Sequence, residues 1–478
     1  MKRSIHVILS VLLCLSFVLA ACSGGDNSSG PGSSAPSASA PSASSAAPSH
    51  GTAGGSPPAE DTFDPIAPYR EEWSKVTGEV TMWGFNENVF QEIAEAFMQE
   101  FPNIKVNAVF LPFGELHDNL QTTLTAGSGA PDVAEVEMYQ FSRYNVADVL
   151  EDLNQPPYNV QQFRDLVAEY NWERWESPDG KRQLGMPWDS TPGVYYYRAD
   201  IFEELGLPSD PEELGEYIKD AENYLALVQV LAANGKYAME WRDGPIHWLG
   251  DMYGYFDTDL NWVREGERYI EILEYTKRGN QLGWAPHEGY LSDTGKQLVK
   301  KGDLVAMALG SFAARELAAN FPELAGKWRV TNLPFDIHVP MGGSSFVIPK
   351  QSKNKEAAWI FVQWCMRSEN AWKIWTKYDI QTAWKDIAER DWYLNRENEY
   401  LGGQKEFQLY EKLAKEIPVK HLTPVDGRAW SEIWVPRVLD ALDKNIDART
   451  TLQLIKEDVD KMLKADLEKL RADLAAVS

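Results

Sequence analysis

Residues 185–198 read GMPWDSTPGVYYYR, and the two halves of this stretch ask for different surroundings. Trp188, Asp189, Ser190 and Thr191 combine an aromatic face with short polar groups, whereas Val194 to Tyr197 is β-forming and free of turn residues. A loop therefore opens into a strand. Pro187 and Pro192 set φ on either side of the polar part, and Gly185 and Gly193 let the backbone bend. A corner built this way holds polar groups toward a ligand with little left to order on binding. Trp188 admits two readings, a ligand-facing ring or an ordinary core tryptophan.

Upstream, the segments alternate in period. Glu79 to Gly84 reads as a strand; Val89, Ile93, Phe97 and Phe101 then recur on one helical stripe that Pro102 stops. Ile104, Val106, Ala108 and Phe110 follow with the period of a strand. Leu116, Leu120 and Leu124 mark a second helix ended by Gly127-Ser128-Gly129, and Asp132 to Val136 a third strand. Strands alternating with helices predict an α/β fold with parallel crossovers. Ligands of such open sheets bind beyond the carboxyl ends of the strands. That rule nominates Trp83, Phe85, Asn86 and Glu87 after the first strand, and Glu137 and Tyr139 after the third. Asn86 serves equally well as a cap for the helix behind it.

The N-terminus speaks to compartment. Lys2 and Arg3 precede an apolar run from Val7 to Val18, too short to span a bilayer comfortably, and small residues before Cys22 complete a secretory signal over residues 1–21. Residues 22–60 are almost entirely Ser, Ala, Pro and Gly, too poor in apolar volume to offset their ordering entropy, so a flexible tether is expected. The remaining roughly 400 residues exceed what one hydrophobic core supports and suggest two lobes.

Composition excludes several functions. A net charge of -25 with no basic block argues against a nucleic-acid partner. Of 3 cysteines, Cys14 lies in the signal and Cys22 follows it, leaving Cys365 with no disulfide partner. The 7 histidines are scattered, so no metal and no cofactor is expected. Hydrolase elbows, zinc-protease helices, phosphate-binding loops and dinucleotide fingerprints are missing from the sequence. The 18 tryptophans are the more telling feature, because an indole offers a flat apolar face with a polar edge, suited to the C–H faces of sugar rings.

WGF after the first strand, FMQEFPNIKVN, LTAGSGAPDV, GMPWDSTPGVYYYRADIFEELGLP, LVAMALGSF and GGSSFVIPKQSKNKEAAWIFVQW, in that order, resemble the extracellular solute-binding proteins of ABC importers, in the carbohydrate-binding group. Leu19-Ala20-Ala21-Cys22 likewise resembles a lipobox, which implies a lipid on Cys22 and an anchor in the bacterial cell membrane. The resemblance implies a two-lobed periplasmic-binding-protein-like fold with the ligand in the cleft between lobes. It assigns residues 76–190 and 310–378 to the first lobe, and 191–309 and 379–478 to the second. The first crossing falls near Trp188 to Tyr195, and Leu304 to Gly310 is expected to be a strand returning to the first lobe.

Carried onto this sequence, the family's cleft aromatic in the second lobe falls at Trp248 and another stacking position at Trp430 close to Arg428, where Trp434 competes with it; Trp241 at the start of the same aromatic segment, Phe312 opening a helix at the cleft and Ser344 in the GGSS run join the candidates. Asn86, Glu87, Glu137, Asp189 and Arg428 have the donors and acceptors that sugar hydroxyls require. The implied protein is a monomeric, membrane-anchored receptor that closes on a sugar and delivers it to permease subunits. Two other readings stay open: a surface-anchored glycosidase using an acid pair such as Glu135 and Glu137, and a non-transporting glycan adhesin or sensor component. The Trp-rich segment from Trp384 to Tyr400 has no reading from sequence.

Overall fold

The computed structural model describes residues 63–477. The expected signal, the Cys22 lipid site and the tether lie outside the described residues. Among the described residues eight strands form two sheets. Strands β1 (Gly78–Gly84), β2 (Ile104–Phe110) and β3 (Val133–Glu137) are joined by helices Glu87–Glu100 and Phe113–Ala126. β1 lies between β2 and β3 and runs parallel to both, as the alternation of periods predicts. β4 (Met186–Pro187) and β8 (Ser344–Val347) complete this five-stranded sheet in the order β2-β1-β3-β8-β4, with β8 antiparallel to β3 and to β4.

The second sheet has β5 (Gly193–Arg198) at its centre, with β6 (Ala306–Gly310) and β7 (Trp328–Asn332) antiparallel on either side. Every residue of β5 is buried. Its tyrosines alternate between two apolar clusters, Tyr196 facing one and Tyr195 and Tyr197 the other. Tyrosine tolerates such burial because each hydroxyl finds an acceptor: Tyr195 donates to the Ala238 carbonyl (2.7 Å), Tyr196 to that of Ser311 (3.0 Å) and Tyr197 to that of Ser209 (2.7 Å).

The chain passes between the sheets at three places that are themselves hydrogen-bonded together. Residues 188–192 link β4 to β5, and 333–343 link β7 to β8. The third, near 378–384, leads from the helix Glu369–Lys377 toward helices on the second sheet. The Gly193 amide donates to Val339 (2.7 Å) and that of Met341 to Thr191 (2.9 Å), while the Ser190 amide donates to Gln381 (3.0 Å) and that of Ala383 to Trp188 (3.2 Å). Residues 188–193 are the middle member of this three-stranded hinge.

One expectation needs correction. Leu304 to Gly310 does not return to the first sheet, because β6 pairs with β5, and the chain then stays there through β7. The return comes at β8, some thirty residues beyond the expected boundary at 310. The Trp384 to Tyr400 segment also acquires a role: Trp384, Tyr393 and Tyr400 are buried, and the Trp384 indole N–H donates to the Pro187 carbonyl (3.1 Å), bracing the hinge.

Candidate functional site

Between the two sheets, with the hinge as its floor, lies a cavity of ≈ 770 Å³, within the range of small-molecule sites. The first sheet reaches it at the carboxyl end of β1, where Phe85 and Asn86 sit, and of β3, where Glu137 and Tyr139 sit. Phe85 packs edge-on against Phe113, which is 42% exposed and joins the same wall. The second sheet and its helices contribute Trp241, Trp248 and Phe312. Asp189, Ser344 and Gln381 line the floor.

The polar groups are held by specific bonds. Asn86 occupies the N-cap position of Glu87–Glu100, yet its side chain makes no capping bond. Its amide instead donates to Glu135 Oε1 (2.5 Å), while Oε2 of the same carboxyl accepts from the Phe85 amide (2.9 Å). Glu137 caps the turn Met138–Phe141 by accepting from the Tyr139 amide (2.8 Å). Asp189 Oδ1 accepts from the Ser344 amide (2.6 Å) across the hinge. Burial pushes the Glu137 carboxyl up to about 8 against the pull of the Tyr139 N–H and the Arg174 guanidinium. It also pushes Asp189 up to about 6, opposed by the Ser344 N–H and Arg174. Arg174, fully buried, donates to the Gly342 carbonyl (3.1 Å) and supplies positive charge beneath the floor.

The structure therefore brings together Phe85, Asn86, Glu137, Tyr139, Trp188, Asp189, Trp241, Trp248, Phe312 and Ser344. Trp188 borders the cavity but belongs to the core: it is 2% exposed and stacked on Trp375 at 4.7 Å, with Phe346 and Phe90 also against it. Trp430, 39% exposed on a π-helical turn, faces an adjoining chamber, whereas Trp434 is buried in the second cluster. The Trp434 indole donates to His247 Nδ1 (2.8 Å), so Nε2 carries the imidazole proton toward Asp243 Oδ2 (2.9 Å), and the Trp430 ring rests 4.7 Å from that imidazole.

Three expected residues are elsewhere. Trp83 lies inside β1, paired with Val109 and Ala134, and packs on the cluster around Leu120 and Leu124. Glu87 is the exposed first residue of its helix, where its charge favours the helix N-terminus. Arg428 ion-pairs with Glu432 (2.8 Å) and Asp466 beside a separate surface groove. Sequence reasoning missed Phe113, Asp251, Arg315 and Gln381. Phe113 was within reach of the strand-end rule, just past β2, and Asp251 sits three residues after Trp248 on one helix face. Arg315 and Gln381 carried no signal.

The profile of the bacterial extracellular solute-binding protein family matches residues 86–372, and the chain belongs to that family. Among its relatives, the arabinooligosaccharide-binding protein of Bacillus subtilis (strain 168) is 25% identical over 340 residues, which are 66% of this chain and 77% of the relative. The lactose-binding protein of Rhizobium radiobacter is 23% identical over 307 residues, 59% of this chain and 68% of its own. Among solved structures, the galacto-N-biose/lacto-N-biose I-binding protein of a Bifidobacterium longum ABC transporter superposes with a TM-score of 0.64 at 19% identity, covering 81% of this chain and 98% of its own. The sugar-binding protein MalE of Xanthomonas citri gives 0.63 at 20% identity, covering 81% and 98%. These likenesses show the fold to be the two-lobed one of solute-binding proteins. Among the described residues no helix is long and apolar enough to cross a membrane.

Proposed function

We propose that this protein captures a sugar or short oligosaccharide outside the cell and hands it to the permease of an ABC importer, held at the membrane by lipid on Cys22. One observation supports this most: a cavity seated on three hinge segments, with aromatic faces on both walls and hydrogen-bonding groups between them. Flat rings suit sugar C–H faces, and Asp251, Asp189 and Gln381 suit hydroxyls. Both walls touch the solute only when the lobes approach, so the ligand stabilises the closed form, and the permease then distinguishes closed from open. The sugar-binding names of the relatives agree with this reading.

Binding without turnover is the favoured mode. Glu135, the suggested partner of Glu137 in an acid pair, is buried with both oxygens engaged by Phe85 and Asn86. The test is thermal denaturation with a panel of arabino- and galacto-oligosaccharides, each also followed by chromatography. A rise in Tm with the sugar recovered intact is expected. Shortened products would establish the glycosidase instead, and no shift with any sugar would remove the receptor.

A further inference from the structure

The chamber beside the main cavity measures ≈ 400 Å³ and shares Tyr139 and Asp251 with it, so the two spaces adjoin. Lys420 lines this chamber. It is 4% exposed, it sits on the loop between helices Glu406–Ala414 and Asp426–Arg428, and its ammonium lies 5.3 Å from the centre of the Tyr139 ring. Among the described residues it makes no hydrogen bond and no ion pair.

The neighbouring carboxylates have partners other than Lys420. Both oxygens of Asp426 accept from Thr423, from its amide (3.0 Å) and its hydroxyl (2.6 Å). Asp251 accepts from Arg264 (3.3 Å), which also donates to the Gly254 carbonyl (2.7 Å) and lies over the Tyr255 ring. Asp251 and Asp426 act on the Lys420 charge without touching it, and Arg264 and Arg174 oppose them with positive charge. The loop cannot swing Lys420 out freely, since the Leu422 carbonyl is held by Asn145 (2.8 Å) and the Gly254 backbone backs onto it.

An ammonium has three donors and no acceptor, and a buried charge with no counter-charge in contact with it is costly. Contact with the Tyr139 ring offsets only a small part of this. Sugar hydroxyls would satisfy the donors but leave the charge alone; a carboxylate satisfies both. We propose that this side chamber is a subsite for an anionic sugar unit, one bearing a carboxylate as hexuronic acids do, and that Lys420 selects it. Burial pushes the Lys420 ammonium below its usual range, and an arriving anion restores it.

This inference rests on the oligosaccharide reading, and the experiment separates the two. The immobilised protein is offered an enzymatic digest of a glucuronic-acid-bearing arabinoxylan, which contains neutral and acidic oligomers together, and the retained pool is read by mass spectrometry. Enrichment of acidic over neutral oligomers by at least about tenfold is expected, collapsing to about onefold in Lys420→Met and persisting in Lys420→Arg. A merely structural lysine would change total retention and leave that ratio where it was, which would overturn the proposal. A retained pool that is wholly neutral overturns it while leaving the sugar receptor intact. An empty pool overturns the subsite, and if no sugar of the wider panel shifts Tm either, the oligosaccharide reading falls with it.

Discussion

Trp188, Trp241 and Trp248 all border the cavity, yet they are not equivalent. Trp188 is enclosed by Trp375, Phe346 and Phe90, so its replacement by alanine opens a void in the core. Trp188→Ala is expected to lower folding stability by about 3–5 kcal/mol in urea titration; a loss under about 1 kcal/mol would mean the ring serves the ligand after all. Trp241 is 46% exposed, touching His287 edge-on, and Trp248 is half-buried. Calorimetric titration with the best-bound oligosaccharide should find Trp241→Ala weaker than wild type by about 1 kcal/mol, the scale of a lost stacking contact, at nearly unchanged stability. Unaltered affinity would take Trp241 out of the site.

At the scale of elements, the hinge governs. Gly343 has φ +110, and a Cβ there would come 2.4 Å from Arg174 Nη2. Gly343→Ala should therefore destabilise the protein by at least about 1 kcal/mol, through a strained backbone and a displaced guanidinium. Equal denaturation midpoints for variant and wild type would show that the crossing tolerates a side chain. The same hinge marks how far the sequence could be read. β1, β2 and β3 were legible because their strand and helix periods are local, and Phe85 and Glu137 follow from strand ends alone. The pairing of β6 and β7 with β5 was not, since nothing within Ala306–Gly310 says which sheet it joins; register between distant strands is a tertiary property. Trp83 misled for a related reason: a tryptophan near a strand end looks the same whether it packs under a helix or faces the rim. Arg428 had the right chemistry, but Glu432 and Asp466 had first claim on it.

For the molecule as a whole, buried carboxyls set the response to pH. Burial raises Glu135 and Glu137 to about 8. A carboxyl whose folded value lies above its unfolded one keeps its proton in the native state, so the stability it contributes is complete below the unfolded value and is lost as pH rises through the folded value. His117, lowered to about 4 by burial, has the opposite slope, but that slope ends near the ordinary imidazole value of 6.5. Between about pH 6.5 and pH 8.5 the carboxyls act without that opposition, and Tm is expected to fall; Glu135→Gln should shrink the fall. A Tm that holds steady or climbs over this window would mean these carboxyls are ionised in the native protein.

Capture depends on a solute clasped between two sheets above a three-stranded hinge. A crystal structure of the protein with its preferred oligosaccharide tests this most directly. The expected result is a sugar inside the ≈ 770 Å³ cavity, with a ring face on Trp241 or Trp248, a hydroxyl bonded to Asp251 or Gln381, and Phe113 or Tyr139 brought against it from the other wall. A sugar seated on one lobe alone, with Trp241 and Trp248 untouched, would contradict it.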